Sequence, residues 1–108
     1  MAGTLVQANI TDAIASFSPR APLWNDTRVL VADTNETHTI PTGANWVFFS
    51  TDGDFYAKPG GTAAIPAADV TDGTASSLNP VAWFLDNETS IGLISATTGR
   101  VVVMSFYT

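Results

Sequence analysis

Two extended stretches of this chain are apolar on both of their sides. In "NWVFFS" and "RVVVMSFY", apolar residues stand at successive positions, and successive side chains of a strand point to opposite faces of a sheet. Trp46 and Phe48 share one side of the first stretch, and Val47 and Phe49 share the other. A strand with one side on a core and one side in water alternates apolar and polar residues instead. These stretches therefore predict strands whose second apolar side must also be covered.

Short strands alternate with turn signals over most of the remaining chain. Apolar stretches such as "RVLVAD", "VAWFL" and "TSIGLIS" are separated by segments rich in Gly, Pro, Asn and Asp. No stretch carries the apolar period of a long helix, so parallel βαβ units are not expected. The pattern predicts an all-β fold of two packed antiparallel sheets. We expect a β-sandwich of jelly-roll type or a related Greek key.

The chain has 108 residues, which is the size of one domain. The first part lacks a lasting period of 2, and two prolines interrupt regular structure there. We therefore expect residues 1–25 to form an N-terminal arm or edge segment and residues 26–108 to form the β-sandwich domain. "TDAIASF" predicts a helical turn in the arm, and Leu23 and Trp24 are expected to anchor the arm to the body.

Charge is scarce and acidic, with 13% charged residues, four Lys and Arg residues and a net charge of −6. The basic residues stand singly, whereas nucleic acids and anionic membranes are bound by clustered Lys and Arg. The N-terminus lacks the basic start and apolar stretch of a signal peptide, and no apolar run is long enough to span a bilayer. We expect a protein made in the cytoplasm, with neither a nucleic acid nor a membrane as its direct partner.

Candidate chemical sites are few. The absence of cysteine excludes disulfides and zinc–cysteine sites, and a single histidine excludes a two-histidine metal site. Asp52–Asp54 with Asp69 and Asp72 could supply oxygen ligands to calcium, but an Asp-Gly pair is typical of a tight turn. We interpret the first Asp-Gly as a β-hairpin and His38 as an exposed or interface residue. We expect no catalytic residue, no metal and no cofactor, and therefore no enzyme.

Aromatic side chains suggest an alternative function, the binding of carbohydrate. Five of them could stack against sugars, as in a carbohydrate-binding β-sandwich module: Trp24, Tyr56, Trp46, Trp83 and Tyr107. Aromatic residues in strands more often fill a core or an interface, because each buries a large apolar area.

The second apolar side of the strands has two potential covers. The arm or the long loop "PAADVTDGTASSLNP" can fold over it, or another subunit can meet it. A chain this small has little material with which to cover two faces itself. The same pattern would also fit residues of an interior core. The residues that we expect at a subunit interface are Leu23, Trp24, Trp46, Phe48, Val102, Met104 and Phe106.

A longer pattern runs through residues 37–108. It consists of "IPTGANWVFFSTDGDFYAKPGG", the loop "IPAADVTDGTASSLNP", the strand "TSIGLIS" and the terminal "VVVMSFY". This order of strands and turns resembles small structural virion proteins of tailed bacteriophages. The resemblance does not extend to the arm.

The resemblance implies a structural virion protein that is assembled in the host cytoplasm. Within that class it favours a capsid decoration or cement protein, a small β-sandwich that sits as trimers on the shell and stabilises it. The implied partners are further copies of the chain and the major capsid protein or other virion proteins. A tail, fibre or adaptor component is the alternative.

Overall fold

The computed structural model describes residues 22–108, which form eight strands and no helix. The strands make two four-stranded antiparallel sheets, so the predicted all-β sandwich is confirmed. Sheet 1 has the order β1-β8-β3-β6 and sheet 2 the order β2-β7-β4-β5. The strands are β1 (Trp24–Leu30), β2 (Glu36–Thr39), β3 (Trp46–Thr51), β4 (Tyr56–Pro59), β5 (Ser77–Leu78), β6 (Ala82–Phe84), β7 (Ser90–Ile94) and β8 (Arg100–Tyr107).

Strand boundaries follow the sequence pattern closely in the second half of the chain and less closely at the start. β8 covers the whole of "RVVVMSFY". β1 begins at Trp24, which pairs with Phe106, so residues 24 and 25 belong to a strand of sheet 1. The rest of the predicted arm, residues 1–21 with its helical turn, lies outside the described residues. Part of the stretch that the sequence predicts as a long loop is a strand instead. Its residues Ser77–Leu78 form β5, which pairs with β4.

The hydrophobic core lies between the two sheets. From sheet 1 it takes Val47 and Phe49 of β3 together with alternate residues of β8, and from sheet 2 it takes Ala57, Ile91 and Leu93. The alternate residues of β8 are Val102, Met104 and Phe106, each of them fully buried. The expectation that these three contact another subunit is wrong, because their side chains already pack inside the chain's own core.

A long loop, residues 60–76, lies over the outer side of sheet 2. The Asn35 side-chain oxygen accepts a hydrogen bond from the Ala63 N–H at 2.8 Å, which fixes the loop at Gly92 of β7. A Cβ atom at Gly92 would overlap the carbonyl oxygen of Gly61 and stand 2.8 Å from the Ala63 nitrogen. This contact is made by Gly61 and Ala63, which precede the predicted loop of residues 66–80, so the predicted cover of β3 and β8 by that loop is not found within residues 22–108.

Substitution of Gly92 tests this placement of the loop. Gly92→Ala is expected to lower the free energy of unfolding by about 1–3 kcal/mol, because the added methyl group overlaps backbone atoms that cannot rotate away. Ser90→Ala, on the same side of the same strand, is the matched control and is expected to change stability by about 0.5 kcal/mol or less. Urea unfolding followed by circular dichroism measures both. Equal effects of the two variants would contradict the close approach of the loop.

Candidate interaction surface

Charged side chains close one edge of the sandwich, where β1 faces β2. Nε2 of His38 lies 2.7 Å from Oδ2 of Asp26, and the Arg28 Nε–H donates to Nδ1 of His38 at 3.0 Å. The Arg28 guanidinium also pairs with Glu36 at 3.2 Å. The imidazole ring stacks on Phe106, with the ring centroids 6.0 Å apart and the planes at 14°. The polar cluster therefore sits directly over the core and seals it from water.

The surroundings of His38 give it a structural role. Its side chain is only 12% exposed, so the expectation that it is an exposed residue is wrong, while its place at an interface stays a prediction. Because Nδ1 accepts from Arg28, the neutral ring carries its hydrogen on Nε2 and donates it to Asp26. Both ring nitrogens are then engaged within the chain.

The Asp52-Gly53 turn connects the two sheets. β3 belongs to sheet 1 and β4 to sheet 2, so the predicted hairpin is wrong at this position. The strand after the turn, β4, pairs with β7 of sheet 2 and not with β3. The Asp52 carboxylate accepts from the Arg100 guanidinium at 3.0 Å and from the Val101 N–H at 3.1 Å. These bonds hold the turn against β8 and lower the pKa of Asp52 below its usual range, the hydrogen bond from Arg100 being the largest cause.

Two further acids of the candidate calcium set, Asp54 and Asp72, are also engaged by neighbouring groups. Asp54 accepts from the Asn79 amide at 2.8 Å. Asp72 accepts from the hydroxyl and the N–H of Thr74, and these hydrogen bonds lower the pKa of Asp72. Gly73 beside it has a φ of 88°, as the Asp-Gly turn predicts. Among residues 22–108, no three His, Cys, Asp or Glu side chains gather in a group that could hold a metal ion.

The side of sheet 1 that points away from the core carries several large apolar side chains. The pairing registers place on it, from β1 to β6, Asn25, Thr27, Val29, Val101, Val103, Ser105, Tyr107, Trp46, Phe48, Ser50, Ala82 and Phe84. None of these side chains is charged. Val29 and Phe84 are 59% and 58% exposed, and Trp46 and Phe48 are 43% and 44% exposed. We call this set the outer face.

The aromatic residues of the outer face are packed against one another in pairs. Trp46 and Phe84 meet edge to face with centroids 5.0 Å apart, and Phe48 meets Tyr107 in the same way at 5.3 Å. Such pairs hold each other's rings in place, so the surface has a fixed shape. The planes within the pairs cross at 67° and 76°, so neither pair offers the coplanar rings on which a polysaccharide stacks.

The structure separates the predicted interface residues into three groups. Trp46 and Phe48 lie on the outer face, as the face pattern requires. Leu23 and Trp24, which are 67% and 54% exposed, lie where β1 begins, at the end of sheet 1 that carries Trp46. The three β8 residues lie in the core. Sequence reasoning missed the outer-face residues of β1 and β6, Val29 and Phe84, because only the strand pairing shows which side of their strands faces outward.

Comparison of the chain with protein-family models, with characterised proteins and with solved structures found no match. The described part of the chain, residues 22–108, contains no helix long and apolar enough to cross a membrane. A function must therefore be argued from the surface geometry and from the resemblance described above.

Removal of the His38 imidazole tests whether the side-chain cluster between β1 and β2 stabilises the fold. His38→Ala leaves Asp26 and Arg28 without their shared partner and uncovers Phe106, so the free energy of unfolding is expected to fall by about 1–3 kcal/mol. Thr39→Ala changes an exposed residue of the same strand and is expected to have little effect. Chemical denaturation measures both, and a stability of His38→Ala equal to that of the control would contradict the sealing role.

Acid titration tests the Asp52 turn. Because the pKa of Asp52 is lowered in the folded protein, its carboxylate contributes stability above the ordinary value of 3.8, and this contribution is lost as the pH falls through the folded-state pKa. Asp52→Asn is therefore expected to be less stable than the unmodified protein at pH 6, with a difference that shrinks below pH 3.8. In an Arg100→Gln background the difference should already be smaller at pH 6. A difference that is constant from pH 6 to strongly acidic pH would contradict this assignment.

Proposed function

We propose that this chain is a structural virion protein of a tailed bacteriophage, most simply a capsid decoration protein that binds and stabilises the assembled shell as an oligomer. One observation carries the proposal: the outer face of sheet 1 has no charged side chain and exposes large apolar residues, among them Val29 at 59% and Phe84 at 58%. Contiguous apolar patches on small proteins mark interaction sites. The outer side of sheet 2, by contrast, is covered by the chain's own loop at Gly92.

The order of the strands supports the same class of protein. We infer a jelly-roll topology, because β1 pairs with β8, β2 with β7, β3 with β6 and β4 with β5. This is the pairing that results when one long hairpin is wound into two sheets, and jelly rolls are frequent in viral capsid and lectin domains. A fold does not specify a function by itself. The virion assignment depends on the resemblance over residues 37–108 as well.

The distribution of charge favours contact between copies of this chain through the outer face. Identical chains with a net charge of −6 repel one another, and contacts between acidic loops would bring like charges together. Contact through the outer face brings no charges together. This favours self-association through that face, with the trimer that the resemblance implies as the simplest assembly.

The apolar side chains of the outer face can supply the required free energy. Complete burial of a large apolar side chain contributes about 1.5–3 kcal/mol, so a half-exposed one has on the order of 1 kcal/mol left to gain. Each subunit contributes this free energy from four such side chains, which are Val29, Trp46, Phe48 and Phe84. Their sum must offset the entropy lost on association. An oligomer that binds only the assembled shell then stabilises the shell by mass action.

A tail, fibre or adaptor component is the second candidate within the same class, and it would use the same outer face. The two roles differ in where the protein lies on the particle. Gold-labelled antibody and electron microscopy of intact particles distinguish them. Label on the shell supports decoration, label on the tail supports the second candidate, and particles without the protein would contradict both.

The oligomeric state tests the role of the outer face in solution. Size-exclusion chromatography with light scattering is expected to give a trimer at micromolar concentration. The double variant Phe48→Ser with Phe84→Ser is expected to be a folded monomer, because it removes two exposed aromatic residues from the centre and rim of the face.

The matched control for this prediction is Val70→Ser with Leu78→Ser. These two residues are 44% and 54% exposed, close to the exposure of the aromatic pair, but neither lies on sheet 1. The control is expected to keep the oligomer. A monomeric unmodified protein, or loss of the oligomer in both double variants, would contradict assembly through the outer face.

A further inference from the structure

Among the strands of residues 22–108, β6 lies at the edge of sheet 1. Val81 accepts from the Phe49 N–H at 2.9 Å and Leu85 donates to the Asn45 carbonyl at 2.7 Å, so the odd-numbered residues of this segment point their backbone groups toward β3. Alternate residues of an antiparallel strand point these groups to opposite sides. Those of Ala82 and Phe84 are therefore directed away from β3. Within residues 22–108 no strand pairs with β6 on that side.

A groove lies along this open edge, between the two sheets. Its volume is about 380 Å³. β6 contributes one wall with Ala82, Trp83 and Phe84, and sheet 2 contributes the other with Pro59 and Ser77. The opposite edge of the sandwich is closed by the Asp26–His38–Arg28–Glu36 cluster. The two edges thus differ: one is closed by hydrogen-bonded charged and polar side chains, and the other has a groove beside backbone groups that no strand of residues 22–108 pairs with.

The turn that follows β6 places two carboxylates on the lining of this groove. They belong to Asp86 and Glu88. In the described part of the chain the acids that contact Arg28, His38 and Arg100 are Glu36, Asp26 and Asp52, and neither groove carboxylate takes part in such a contact. These carboxylates would attract a positively charged group of a ligand at this end of the groove.

We propose that β6 binds an extended peptide segment of a partner protein as an added strand, with an apolar side chain of the segment against Trp83 and a Lys or Arg beside Asp86 and Glu88. Strand addition at a sheet edge draws affinity from main-chain hydrogen bonds and specificity from pockets for the side chains. The backbone groups of Ala82 and Phe84 supply the main-chain hydrogen bonds. The groove, which is apolar beside Trp83 and acidic at one end, supplies the side-chain specificity. The site shares Ala82 and Phe84 with the outer face but uses their backbone groups, and it does not depend on the virion role.

Amide hydrogen exchange with a synthetic peptide tests the site in the full-length chain. The probe is the capped peptide Lys-Thr-Val-Thr-Val-Thr-Lys, and its acidic counterpart has Glu in place of both Lys. With a dissociation constant of about 1 mM, about 5 mM of the basic peptide slows exchange at the Ala82 and Phe84 amides about sixfold. The Trp83 amide, which points toward β3, serves as the internal control and is expected to show no such slowing.

Variants separate the charge from the backbone contribution. Asp86→Asn with Glu88→Gln is expected to weaken binding of the basic peptide about threefold or more, because two ion pairs are lost. Asp33→Asn with Asp69→Asn changes the net charge equally at sites off the groove lining and is expected to leave affinity unchanged. A version of the basic peptide with methylated backbone nitrogens is expected not to slow exchange at either amide.

Four outcomes would overturn the proposal. The first is no change in exchange at Ala82 and Phe84 with the basic peptide. The second is equal binding of the acidic peptide, and the third is equal weakening by the two double variants. The fourth is slow exchange at both amides in the free protein, which would mean that a segment of this chain already pairs with β6. Each outcome leaves the trimer prediction to be judged by its own measurement.

Discussion

A two-layer sandwich can bury only one side of each sheet against its partner, and this limit determines what the rest of the molecule must do. β3 and β8 carry apolar residues on both sides. Their inner residues, Val47 and Met104 among them, fill the core completely. Their outer residues have no layer of described chain above them, so Trp46 and Phe48 remain close to half exposed. The surplus of apolar surface is therefore concentrated on one defined face.

The other surfaces of the sandwich are closed by different means. A long loop covers the outer side of sheet 2, and the absence of a side chain at Gly92 lets its backbone approach. Ion pairs around His38 close the edge where β1 faces β2. The outer face and the β6 edge remain as the surfaces without such cover in the described structure. One is apolar and uncharged, which suits an identical copy, and the other has an acidic end, which suits a basic segment.

The sequence predicted the fold class and the alternation of sides in β3 and β8, because a period of 2 is a local property. It did not reveal which side is the core. Val102 and Val103 are equally apolar, and only the pairing of β8 between β1 and β3 directs Val102 inward. The predicted hairpin at Asp52-Gly53 is wrong for a related reason, since the strand that follows the turn pairs with β7 of sheet 2, and β7 is distant in sequence. The groove beside β6 is lined by residues from both sheets, so no single stretch of the sequence could have predicted it.

The most direct test of the account is the solvent exposure of Phe48 as a function of protein concentration. Fluorine NMR with 4-fluorophenylalanine at this position reports exposure through the shift of the resonance between H₂O and D₂O. The account predicts a small shift at concentrations where the oligomer forms and a larger shift after dilution to the monomer. A large shift at every concentration, with a monomer throughout, would show that the outer face stays in water and would contradict assembly through it.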